Sequence, residues 1–133
     1  MPQTLPEPAK AWLDAQEFIT LATIEPDGRP QQTVVWVTHD GDDVLMSTVK
    51  GRRKQRNLER DSRATALLFP KENPYNYLEV RGNVSMTEEG GRELIDELHE
   101  KYHGSRPYPY DGPGDVRVVI RLSPEHVVFH GPA

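Results

Sequence analysis

The chain has 133 residues, a formal net charge of −5, 35% hydrophobic residues and no cysteine. That length fits one domain, 1–133, and the missing thiols exclude a disulfide framework, thiolate metal sites and thiol catalysis. No apolar run approaches the roughly 20 residues that span a bilayer, and the opening MPQTLPEPAKAW lacks a basic and then apolar leader, so a cytoplasmic protein with no membrane partner is expected.

Pro6 to Gln16 reads as a short helix, with Pro8 in its first turn and Ala9, Trp12 and Leu13 on one face. FITLATI, 18–24, alternates as a strand, with Phe18, Thr20, Ala22 and Ile24 on one side and Ile19, Leu21 and Thr23 on the other. EPDGRP, 25–30, is a turn in which Pro26 presets φ and Gly28 accepts a positive φ. Gln32 to Thr38 is the next strand, HDGDD the next turn, and Val44 to Val49 closes a three-strand meander. Gly51 to Arg60 is a polar helix, Ala64 to Phe69 a buried strand, and Tyr75 to Met86 a long strand that Gly82 bends. Thr87 is the expected N-cap of a helix that ends near Tyr102, with Leu94, Ile95, Leu98 and Tyr102 at helical spacing. Residues 103–115 form a Pro/Gly/Tyr loop, and Val116 to Leu122 and His126 to Phe129 are the final strands. Short strands with few helices and no βαβ alternation predict a mainly β, α+β fold built as an antiparallel barrel.

The charge is uneven. Residues 50–63 carry seven basic side chains against Glu59 and Asp61, a local +5 that leaves −10 for the rest. A glycine and a helix start follow Ser47 and Thr48, and free N–H groups there favour a phosphate or carboxylate. Arg52 and Arg53 offer bidentate contacts and Lys54 a point charge. The alternatives are a solvated helix face and a nucleic-acid contact, which the acidic remainder argues against. Tyr75 and Tyr77 suit either the flank of a planar ring or strand packing, and Trp36 suits core or interface. His99 and His103 are spaced i, i+4, but no further ligand cluster accompanies them, so no metal site is expected. Residue chemistry alone reaches a β-barrel with an anion site.

Four segments carry a resemblance: ATIEPDGRPQQTVVWV (22–37), LMSTVKGRRKQRNLERDSRATALL (45–68), NPYNYLEVRGNV (73–84) and RVVIRLSPEHVVFHG (117–131). They resemble the pyridoxamine 5'-phosphate oxidase-like split β-barrel family, and within it the actinobacterial deazaflavin-dependent reductases that use coenzyme F-420. Ser62 departs from the proline common there before Arg63. The resemblance implies a homodimer with cofactor at its interface. It implies that Gln32, Thr33, Val34, Val35 and Trp36 line the ring, and that Ser47 and Thr48 touch the linker or phosphate. Arg52, Arg53 and Lys54 would hold the phosphate, and Tyr75 and Tyr77 would reach the ring from the second subunit. The implied reaction is hydride transfer from reduced F-420 to an enone, quinone or tetrapyrrole-like acceptor. Water, or Tyr108 or Tyr110 in a loop able to close over the pocket, is the candidate proton source. Flavin mononucleotide (FMN) on the same fold, and a non-catalytic carrier, are the alternative readings.

Overall fold

A computed structural model describes residues 3–132. Ten elements occur in order: α1 (Glu7–Asp14), β1 (Ile19–Ile24), β2 (Pro30–Val35), β3 (Thr38–Asp40), β4 (Asp43–Val49), α2 (Arg53–Arg60), β5 (Arg63–Leu68), β6 (Tyr77–Thr87), α3 (Gly91–His103) and β7 (Arg117–His130). All strand pairs are antiparallel, in the order β2-β1-β5-β6-β7-β4-β3. A flat sheet of seven strands would hold its edges about 28 Å apart. Here the two edge strands are joined through Trp36 and Val37 alone, and Val35 to Thr38 can span only about 10 Å. The sheet must therefore curl on itself, and residues 36–37 form the seam of the barrel.

Alternation decides what lies inside. Ile19 and Leu21 of β1, Val44 and Met46 of β4, Ala66 and Leu68 of β5, Leu78 and Val80 of β6, and Ile120 and Leu122 of β7 share one buried cluster. Helix α1 plugs the barrel with Ala9 and Leu13, one turn apart on one face, and Trp12 packs on Phe129 at 5.1 Å between centroids. Burying Leu13 fully contributes about 1.5–3 kcal/mol. A second cluster forms outside the barrel, where Leu94 and Leu98 of α3 meet Val119 of β7 with Trp36, Leu45 and Tyr102 around them. No helix among the described residues is long and apolar enough to cross a membrane.

Four sequence expectations are corrected. There is no β1–β2–β4 meander: β4 pairs with β3 and β7, while β2 pairs only with β1. The strand expected to reach Thr38 ends at Val35, because the chain crosses the seam there. Thr87 caps no helix; it ends β6 opposite Val119, and α3 begins after Gly90, at Gly91. The two final strands are one 14-residue strand. Arg81 pairs with His126 and Gly82 with Pro124, so Glu125 is the extra residue of a bulge, and the proline sits where the ladder is already interrupted. A Cβ on Gly82 would lie 1.9 Å from the Ser123 carbonyl oxygen, so this close crossing requires glycine.

Candidate functional site

Next to the seam a pocket of about 330 Å³ opens, within the range of small-ligand sites. Three parts of the chain build it. The end of β2 and the seam supply Val34, Val35 and Trp36, joined by Phe18 from just before β1. The end of β4 and the start of α2 supply Ser47, Arg52 and Lys54. Helix α3 supplies Ile95 and Leu98, its trailing loop Tyr108, and the start of β7 Arg117. One wall is thus apolar and aromatic and the opposite end is cationic.

The aromatic wall is anchored by α3. The Tyr102 ring stacks between Trp36 at 5.2 Å and Phe18 at 5.5 Å. The Tyr102 hydroxyl accepts the Val37 N–H at 3.2 Å and donates to the Glu17 carbonyl. Burial raises its pKa, keeping it a donor. Beside it the Lys101 ammonium donates to the Leu13 and Val37 carbonyls, and burial lowers its pKa to about 8.

The cationic end is held differently. Lys54 is half-buried, and burial, then Arg52 and Arg117, push its pKa down. Among the described residues it makes no ion pair, and neither does Arg52. Helix α2 has no side-chain cap at its N-terminus, and its first helical bond runs from the Arg56 N–H to the Arg52 carbonyl. Unpaired cations beside uncapped N–H groups suit an oxyanion. The helix is tethered from its other face. The Asn57 amide, 1% exposed, donates to Thr23 and Glu25 at 3.1 Å each, and Gln55 accepts the Gly51 N–H at 2.8 Å.

Of the twelve residues expected to bind a cofactor, Val34, Val35, Trp36, Ser47, Arg52 and Lys54 line this pocket and the other six do not. Gln32 is exposed farther along β2, and the Thr33 hydroxyl is buried without a partner. Thr48 points into the barrel, its hydroxyl likewise unpartnered. Arg53 turns to the far side of α2 and pairs with Glu25 at 2.9 Å. Tyr75 is 82% exposed, and Tyr77 stacks on His130 at 5.7 Å.

The loop read as able to close over the pocket is bonded to α3 and to the start of β7. The Tyr108 N–H donates to Asp96 at 2.8 Å, Asp111 accepts from Arg92 and Arg117, and Arg106 pairs with Glu100 at 3.0 Å. Tyr108 forms one wall of the pocket, while Tyr110 is exposed and its ring stands nearly perpendicular to that of Tyr108, 5.5 Å between centroids. His99 is buried with Nδ1 on the Ser105 carbonyl and stacks on His103. No group of three metal-ligating side chains occurs among the described residues. Sequence reasoning missed Phe18, Ile95, Leu98 and Arg117. Only Arg117 left a signal, as a charge within the apolar strand VRVVIRL.

An apolar face adjoins the pocket on the outside of the sheet. Thr20 is flanked across the ladder by Val34, 69% exposed, and Leu67, and exposed Phe18 and Phe69 continue that face.

The sequence profile of the pyridoxamine 5'-phosphate oxidase family matches residues 5–131. Among solved structures, an F-420 reductase is 30% identical with a TM-score of 0.81, over 93% of this chain and 98% of that one. A conserved hypothetical protein of Mycobacterium tuberculosis is 24% identical with a TM-score of 0.77, over 95% and 84%. A pyridoxamine 5'-phosphate oxidase-related, FMN binding protein of Nostoc punctiforme is 16% identical with a TM-score of 0.69, over 94% and 84%. No curated protein sequence matches the chain.

Proposed function

Because the chain belongs to the pyridoxamine 5'-phosphate oxidase family, we propose that it is an oxidoreductase that uses reduced coenzyme F-420 to reduce a small organic acceptor. Family membership supports an oxidoreductase or flavin-type cofactor-binding role, and the similar F-420 reductase supports the deazaflavin. The observation that carries the reading is the pairing of unpaired Lys54 and Arg52 with the aromatic wall of Phe18 and Trp36 in one pocket. These residues fit a flat ring bearing a phosphate. Bound there, the reduced deazaflavin supplies a hydride.

The chain's own residues orient and shield. Lys54, Arg52 and the N–H groups at the start of α2 hold the phosphate, and Ser47 contacts the linker beside it. Val34, Val35 and Trp36 set the plane of the ring, and Tyr102 holds Trp36 in place. Ile95, Leu98 and Tyr108 keep water from the ring face where the acceptor stacks. Arg53, Arg56 and Arg60 line a separate groove with Pro26, which suits an anionic tail running on from the phosphate. A second copy of the chain covers the exposed face of Phe18, Val34, Leu67 and Phe69, and Tyr75 and Tyr77 reach the ring from that copy.

One observation favours FMN as a second reading. Arg53 pairs with Glu25 and Arg60 bonds Asn57 and the Ile24 carbonyl, both away from the pocket, whose remaining cations suffice for a lone phosphate. Fluorescence titration of the purified protein with F-420 and with FMN decides between them. Tighter binding of F-420, with deuteride transfer from reduced F-420 to a test enone, is expected. Failure to bind F-420 refutes the deazaflavin reading, tighter binding of FMN favours the second reading, and binding of F-420 without deuteride transfer favours a carrier over an enzyme.

A further inference from the structure

The structure assigns Arg117 to the pocket's oxyanion site as a direct donor, aimed by Asp111. The inference rests on the pocket's reading as a site for a phosphorylated ring. Arg117 begins β7 opposite Val49, two residues from Ser47 on β4, and is only 7% exposed. Arginine is almost never buried this deeply without partners, so its hydrogen bonds can be accounted for one by one. The Nε–H donates to Asp111 at 2.8 Å, and Nη2 to the same carboxylate at 2.7 Å. Nη1 donates to the Ser47 hydroxyl at 3.3 Å. The guanidinium plane lies over the Tyr108 ring, 4.7 Å from its centroid.

A guanidinium has five N–H donors. Three are used by Asp111 and Ser47. The remaining two, one on each Nη, belong to a buried group that lines the pocket beside Lys54 and Arg52. Burying such donors without an acceptor is costly. A phosphate oxygen in the pocket is the acceptor that fits, since of the three cations there only Arg117 has a carboxylate partner among the described residues, and Arg92 shares that carboxylate. The bidentate pair fixes the fork against rotation, and Tyr108 closes one face of it. Asp111 is therefore a positioning residue, and its own pKa is held down by the Arg117 hydrogen bonds. The loop carrying it is in turn fastened by Arg92.

The test compares phosphorylated ligands with their phosphate-free counterparts, F-420 with its dephosphorylated deazaflavin riboside and FMN with riboflavin, by fluorescence titration. A wild-type protein with no preference for either phosphorylated form overturns the cofactor reading itself. Given that preference, Arg117→Gln is expected to lower it about tenfold to a hundredfold, the loss of one charged hydrogen bond, with the phosphate-free ring still bound. Asp111→Asn leaves the cation but loosens the fork, and it is expected to lower the preference by less than Arg117→Gln does; an unchanged preference in Asp111→Asn overturns the positioning role of Asp111. Equal loss of both ligands in both variants makes Arg117 a structural latch and overturns the inference, as does an unchanged preference in Arg117→Gln. Should that variant fail to fold, Arg117→Lys is measured instead: a smaller loss of preference supports the inference and no loss overturns it.

Discussion

Gly91 links the fold to the pocket through one contact. A Cβ placed there would lie 2.2 Å from the Arg117 carbonyl oxygen and 2.7 Å from its carbon. Both are backbone atoms in a central strand, so neither can turn aside as a side-chain tip would. Gly91→Ala must therefore lift the first turn of α3 by about 1 Å to restore ordinary van der Waals contact. That helix buries Leu94, Ile95 and Leu98. Each is worth about 1.5–3 kcal/mol when fully buried, and a gap of 0.5–1 Å forfeits about a quarter to a half of the contact energy. The loss sums to about 1–4 kcal/mol, against a helix-propensity gain of up to about 1 kcal/mol for alanine. The net lies between about 0 and 4 kcal/mol, and a destabilisation near its middle, about 2 kcal/mol, is expected, a fall in Tm of roughly 7 °C. Urea unfolding followed by tryptophan fluorescence reads it as a lower midpoint at unchanged slope. Because Ile95, Leu98 and Arg117 line the pocket, affinity for the ring should fall as well. A variant as stable as the wild type, or more so, would show that the crossing relaxes cheaply and refute the reasoning.

Lys54→Met should weaken binding of a phosphorylated ring about tenfold or more. Burial lowers the Lys54 pKa and a bound anion favours the ammonium, so wild-type affinity should fall as pH rises through the lowered value; a titration series in which Lys54→Met keeps that alkaline decline contradicts the assignment. Val34→Asp places a carboxylate on the exposed apolar face and should leave a monomer in sedimentation, whereas a wild type already monomeric at micromolar concentration removes the argument. Asp61 has its pKa lowered to about 2 by hydrogen bonds from Arg63. Its unfolded value is about 3.9, so its contribution is complete above about pH 4 and is lost as pH falls through about 2. Asp61→Asn should flatten that part of the acid unfolding curve, and superimposable curves would deny the pair a role.

Local chemistry was legible and long-range pairing was not. Period-two alternation in FITLATI is enough to separate inward Ile19, Leu21 and Thr23 from their neighbours, and the HDGDD turn does join β3 to β4. Nothing in VLMSTV states that its partner is RVVIRL rather than QTVVWV, because both are apolar strands and pairing is decided by the whole sheet. The same limit applies to the cations. Neighbouring residues on a helix point about 100° apart, so the charge run suggests an anion site but does not tell that Lys54 faces the pocket while Arg53 faces Glu25. Arg117 became meaningful only when Asp111 was brought to it by a loop with no periodicity.

The strand order also dictates a timetable for folding. The β3–β4 hairpin is made early in the chain, yet its only other partner is β7, so that residue 44 waits for residue 122. During synthesis the β1–β2 hairpin and then β5 and β6 can assemble as they emerge, while β4 keeps an unpaired apolar edge until β7 arrives. Such non-local closure slows folding and leaves a nascent strand open to wrong partners. Any chain broken before residue 117 would carry α2 behind a β4 paired with β3 alone, so β7 acts as the clasp that completes barrel and pocket in one late step.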